Sequence, residues 1–178
     1  MRRKTNPPCS EFERQAAALE AALKLEGEPG ARALAHSALG RALAALERSP
    51  HPGALAALQD AYARSLNPWG QSWAAHAIAS LPDGRRWGFL RAELGAPAWR
   101  VRMICVQALG KRSDAGPLLL DARHDPQWRV RDAAARALGR AGPGEPVVAA
   151  LEAMLNDMDG RVVATAERSL DRLRRGGR

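Results

Sequence analysis

The chain has 178 residues, enough for one domain with a real core; 46% are apolar, much of that alanine, and only 4% are aromatic. No run approaches the roughly 18–20 apolar residues of a membrane span, and the basic start Met1-Arg2-Arg3-Lys4 has no apolar segment behind it, so a soluble, unexported, cytoplasmic protein is expected. The formal charge of +8, from 24 Arg and 3 Lys against 19 acids, favours an acidic partner, although an Arg-, Ala- and Gly-rich chain acquires such an excess from composition alone.

Scarcity of β-branched residues and punctuation by Pro, Gly, Asn and Asp predict an all-α chain of about ten helices. Residues 1–9 read as a flexible N-terminal tail. Ser10-Glu11-Phe12-Glu13 is a capping box opening a helix over 10–25, and Gly27-Glu28-Pro29-Gly30 separates it from a second over 31–48. Helices follow over 53–66, 70–81, 84–94, 97–110, 114–123, 127–141, 146–155 and 160–174, with breaks such as Asn67-Pro68, Pro82-Asp83-Gly84, Asp125-Pro126 and Gly142-Pro143-Gly144 between them. Paired, they make five hairpins, at about 10–48, 53–81, 84–110, 114–141 and 146–174, in a single repeat domain over 10–175.

The pairing rests on internal repetition. Ala98-Trp99-Arg100-Val101-Arg102, running on to Ala108-Leu109-Gly110-Lys111, is echoed 29 residues later by Gln127-Trp128-Arg129-Val130-Arg131 and Ala137-Leu138-Gly139-Arg140. A weaker copy, Gly160-Arg161-Val162-Val163 to Ser169-Leu170, follows at an offset of 32, and Gln71 to Leu81 is fainter. A period near 30 is that of helical solenoids, whose units are too small to bury a face alone. Val130, Ala133, Ala134, Ala137 and Leu138 share one helical face, as do Val101, Ile104, Cys105, Ala108 and Leu109, and both sets are expected in the core.

The string Asp125-Pro126-Gln127-Trp128-Arg129-Val130-Arg131-Asp132-Ala133-Ala134-Ala135-Arg136-Ala137-Leu138-Gly139 resembles the second helix of a HEAT-like repeat, the type also catalogued with phycobilisome lyases. The likeness covers units three and four well and units two and five recognisably, while residues 1–66 share only the helical rhythm. It implies a right-handed α-α superhelix of about five hairpins, with second helices lining a concave side. It also implies that Arg102 and Arg131 join a ladder with loop aspartates. Ala96 stands where unit three would carry that Asp and Val163 replaces the Arg of unit five, so a continuous ladder is not expected and unit five reads as a terminal cap.

With positions 130, 133, 134 and 137 inward, the outward rows across units three to five are Arg100, Arg129 and Arg161; Met103, Asp132 and Ala164; Gln107, Arg136 and Arg168; Lys111, Arg140 and Arg172. Such rows either form a basic binding stripe or a solvated face of local ion pairs. Trp99 and Trp128 share one repeat position and act either as interface anchors or as fillers between repeats; Trp73 and Trp87 are expected in packing. The leading expectation is a non-enzymatic scaffold for an acidic protein surface or segment, with Arg100, Arg129, Arg136, Arg161, Arg168, Trp99 and Trp128 in contact. Nucleic acid is the alternative. The chain is also similar to HEAT-like alkylpurine DNA glycosylases, which implies Asp132 as the catalytic carboxylate in that case alone. His36, His51, His76 and His124 are dispersed, and the chain has no metal-ligand spacing, phosphate loop or Cys-x-x-Cys, so no metal, cofactor or small-molecule substrate is expected. Cys105 reads as a core thiol.

Overall fold

The computed structural model describes residues 10–82, 84, 86–112 and 115–176, and every regular element among them is helical. The expected tail over 1–9 lies outside them. Contacts divide the chain into two compact units that meet between 83 and 84, where the repeat pattern alone predicts one continuous domain.

The first unit holds α1 (Glu11–Glu26), α2 (Arg32–Glu47), α3 (Ala54–Arg64) and α4 (Pro68–Ser80). α1 opens on the expected capping box: the Ser10 hydroxyl accepts from Glu13 N at 3.2 Å and Ser10 N donates to Glu13 Oε2 at 2.7 Å. α1 packs on α2, α3 on α4, and α2 on α4. The buried set Leu19, Ala22 and Leu23 on α1 and Leu39, Ala42, Leu43 and Leu46 on α2 repeats at three- and four-residue spacing, which places one stripe of each helix against the other. Each fully buried leucine contributes about 1.5–3 kcal/mol relative to exposure. α4 begins at Pro68, two residues earlier than the expected 70. The Asn67 side chain accepts from Trp69 N and Gly70 N at 3.0 and 2.8 Å, and proline fits the first helical position, where no N–H is required.

The second unit holds three hairpins. Their first helices are α5 (Arg86–Ala92), α7 (Gly116–Leu119) and α9 (Glu145–Ala153), and each is followed by a 3-10 turn, at Glu93–Gly95, Asp121–His124 and Met154–Asn156. Their second helices are α6 (Trp99–Leu109), α8 (Trp128–Leu138) and α10 (Gly160–Gly176). α6 packs on α8 and α8 on α10, the stacking of a solenoid. The helix expected over 114–123 is shorter: α7 is a single turn, and Ser113 and Asp114 lie outside the described residues. Pro126 bars the preceding residue from helical geometry, so Asp125 is extended (φ −57°, ψ 135°) and the 3-10 turn ends at His124. Of the predicted inward residues, Val101, Cys105, Ala108, Leu109, Val130, Ala133, Ala134, Ala137 and Leu138 are buried, while Ile104 is only half-buried. Burial also pushes the Cys105 thiol up to about 12, as befits a core residue.

Two buried ion pairs fix the order of these hairpins. The Arg102 guanidinium donates to both oxygens of Asp125 at 2.6 and 2.9 Å, and Arg131 does the same to Asp157 at 2.7 and 2.9 Å. Each arginine also donates to carbonyls of the turn before its own helix, Arg102 to Ala96 and Pro97, Arg131 to Asp125 and Pro126. Each aspartate in turn accepts a backbone N–H, from Gln127 and Asp159 respectively. Among the described residues the ladder therefore has two rungs, each joining one second helix to the loop of the next repeat.

Candidate macromolecule-binding face

The second helices carry the candidate site on the side away from the core. Arg100 lies over the Trp99 ring at 4.5 Å from its centroid, and Arg129 lies over both Trp99 at 5.4 Å and Trp128 at 4.5 Å. Arg161 lies over Trp128 at 3.5 Å. The equivalent residues of three repeats thus form an alternating run, Arg100, Trp99, Arg129, Trp128, Arg161, in which each indole carries two guanidiniums. Such contacts contribute about 0.5–1 kcal/mol each at exposed sites and hold flexible cations in place. Arg161 is further fixed by Asp159, which accepts from its Nε and Nη2 at 2.9 and 2.8 Å. The same pair lowers the Asp159 carboxyl to about 2, first through the side-chain hydrogen bond of Arg161.

Beside this run α6, α8 and α10 enclose a cleft of about 450 Å³. Its walls are Met103 and Gln107 from α6, Trp128, Arg129, Asp132 and Arg136 from α8, and Arg161, Ala164, Thr165 and Arg168 from α10. The second and third outward rows of the sequence are thereby complete in one hollow, with two members of the first. Of the expected contact residues, the cleft takes in Arg129, Arg136, Arg161, Arg168 and Trp128, while Arg100 and Trp99 lie along the run beyond its wall. A smaller hollow of about 230 Å³ shares Gln107 and Arg136 with the cleft and adds Lys111, Ala133 and Arg140.

Asp132 departs from its expected exposure. It is 8% exposed, because Thr165 Oγ1 donates to its Oδ1 at 2.6 Å and Arg136 Nη2 donates to its Oδ2. Thr165 in turn accepts from Arg168 Nη2 at 2.9 Å. One carboxylate therefore anchors two arginines on the cleft wall, one directly and one through a buried hydroxyl. The rows as read from the sequence omit Thr165, since it occupies the position that Ala133 fills in the preceding repeat, an expected core site. A polar residue at a core position must find a partner when buried, and that is the signal that marks it.

The charge is unevenly divided. Residues 1–83 hold nine Lys and Arg against eight acids, while 84–178 hold eighteen against eleven, so +7 of the +8 falls on the second unit. The other tryptophans have different surroundings. Trp73 stacks on His36 with ring centroids 3.9 Å apart, Trp87 lies beneath Arg86 and Arg112, and Trp69 is 48% exposed. Among the described residues no group of three or more His, Cys, Asp or Glu could hold a metal ion, and no helix is long and apolar enough to cross a membrane.

The family described as HEAT repeats matches residues 88–171, nearly the whole of the second unit, and supports a HEAT-like repeat protein. Among solved structures, an engineered protein is similar at 20% identity with a TM-score of 0.58, over 96% of this chain and 85% of that one, a likeness of fold. No curated protein matches the sequence.

Proposed function

We propose that the chain is a non-enzymatic binding scaffold whose second unit engages an acidic protein surface or segment through the exposed side of α6, α8 and α10. HEAT repeats generally serve as protein-interaction scaffolds, and stacked second helices offer the extended surface such binding uses. The observation that carries the reading is the convergence of four guanidiniums, Arg129, Arg136, Arg161 and Arg168, on one cleft whose walls include a single carboxylate. Trp99 and Trp128 hold Arg100, Arg129 and Arg161 in register and add apolar surface at the rim. A partner carboxylate gains charge-assisted hydrogen bonds from arginines that are already oriented, so little side-chain freedom is lost on binding.

A nucleic-acid reading draws on the same +7. Its glycosylase form requires the Asp132 carboxylate to face a bound base, whereas Thr165 and Arg136 occupy its two oxygens. Fluorescence anisotropy of a labelled poly-glutamate peptide and of labelled duplex DNA, each at two salt concentrations, separates the readings. For duplex DNA the logarithm of affinity falls with log salt at a slope of about −0.9 per phosphate neutralised. The scaffold reading expects peptide binding that is lost in Arg129→Glu/Arg161→Glu and weaker, steeply salt-sensitive DNA binding. Tight duplex binding with no peptide binding overturns it.

A further inference from the structure

The cleft is built for more charge than one carboxylate supplies. Four cations line it, and two internal acids stand against them, Asp132 in the wall and Asp159 clamped to Arg161. The local surplus is therefore +2. A partner Asp or Glu brings a single negative charge and leaves half of that surplus unmet, as does a phosphodiester. A phosphate monoester carries about −1.5 to −2 at pH 7 and presents three acceptor oxygens.

The donors are also arranged for several acceptors at once. Arg136 uses Nη2 on Asp132, and Arg168 uses Nη2 on Thr165, so each retains further N–H groups beyond the one that holds it. Both are tied to the same Asp132–Thr165 pair, and Thr165 is 2% exposed, so the two forks are set relative to each other by a buried hydrogen bond rather than by solvent. Arg161, held through Nε and Nη2, keeps Nη1 available. Guanidinium forks fixed around one hollow suit an oxyanion with several oxygens, while ammonium groups would act only as point charges.

We infer that the Arg129, Arg136, Arg161 and Arg168 cleft is a phosphomonoester site, and that the acidic partner segment carries a phosphorylated serine or threonine there. This rests on the scaffold reading above and specifies the group that enters the cleft. The concentration of the cations around one hollow favours a single dianion on a protein over the evenly spaced monoanions of a nucleic acid backbone.

The test uses the full chain and three labelled Asp-rich peptides that differ at one central residue: serine, glutamate or phosphoserine. Phosphoserine is expected to bind about tenfold tighter than glutamate at pH 7.5, and the advantage should shrink toward pH 5.5 as the second phosphate proton, with a pKa near 6, returns. Arg168→Gln, an exposed position whose loss leaves Asp132 paired with Arg136, should weaken the glutamate peptide modestly and the phosphoserine peptide about tenfold more, so that the phosphate preference is lost. Arg129→Gln is the second variant, and a thermal melt of each verifies folding. Equal binding of the phosphoserine and glutamate peptides overturns the phosphate site and leaves the scaffold reading standing. Failure of all three peptides overturns both. A duplex DNA control that binds tightly and displaces the phosphopeptide overturns both in favour of nucleic acid.

Discussion

Arg131 ties one second helix to two loops at once. Its bidentate hold on Asp157 and its bonds to the Asp125 and Pro126 carbonyls join α8 to the loops on both sides, and both charged side chains are under 10% exposed. A buried pair of this kind is a weak source of net stability, since desolvation offsets most of the attraction, yet removing one partner strands the other. Arg131→Ala is therefore expected to cost about 3–5 kcal/mol in urea unfolding, because Asp157 and two carbonyls lose their donor. Arg131→Met/Asp157→Leu should recover much of that loss. If the double variant is as damaged as the single one, the rung acts through its geometry and not through charge burial. Arg102 and Asp125 repeat the arrangement one hairpin earlier. Trp128 sets a second residue-scale expectation: Trp128→Leu keeps every charge but removes the ring on which Arg129 and Arg161 rest. Peptide affinity should fall severalfold without a change in salt dependence, each lost ring contact being worth about 0.5–1 kcal/mol.

Among helices, spacing is set by residues that lack side-chain bulk. A Cβ built on Gly110 would stand 2.3 Å from the Ala137 Cβ, and one on Gly139 would stand 2.6 Å from the Ser169 Cβ. Both glycines have ordinary helical φ values, −65° and −64°, so close approach of α6 to α8 and of α8 to α10 requires them, and backbone freedom does not. Gly110→Ala and Gly139→Ala should each destabilise the protein by about 1–3 kcal/mol in thermal or urea melts, as overpacking does. An unchanged midpoint would mean the helices have room to separate. This layer explains what was legible in the sequence. The period near 30, the helix breaks and the inward stripes of α6 and α8 are local patterns, and the outward rows follow from them. The helix expected over 114–123 is too long because a helical rhythm does not record where α7, after one turn, gives way to the 3-10 turn Asp121–His124. Thr165 and the engagement of Asp132 escaped because they depend on contacts between helices 33 residues apart in sequence, which no single helix's periodicity contains.

At the scale of the whole chain, basicity and the ion pairs act together on pH dependence. Asp157 is held below the usual carboxylate range, first by the hydrogen bond from Arg131, and Asp159 lies at about 2 beside Arg161. In the first unit Arg64 lowers Glu20 in the same way. A carboxyl whose folded pKa is depressed contributes stability that is complete above its unfolded value, near 3.9 for Asp, and is lost as pH falls through the folded value. Protonation also removes the acids that balance 27 Lys and Arg, so the net charge rises steeply in the same window and the compact state repels itself. Unfolding free energy should therefore be nearly flat from neutral pH to about 5 and fall between about 4 and 2. Added salt separates the two causes, because screening relieves repulsion among exposed charges but acts weakly on a buried pair. Asp157→Asn should start from lower stability and fall less steeply in acid, with the salt-sensitive part of the decline unchanged. If salt abolishes the acid decline in the parent chain, repulsion accounts for it and the ladder contributes no pH dependence. If the decline persists at high salt and flattens in Asp157→Asn, the buried rung sets the acid limit.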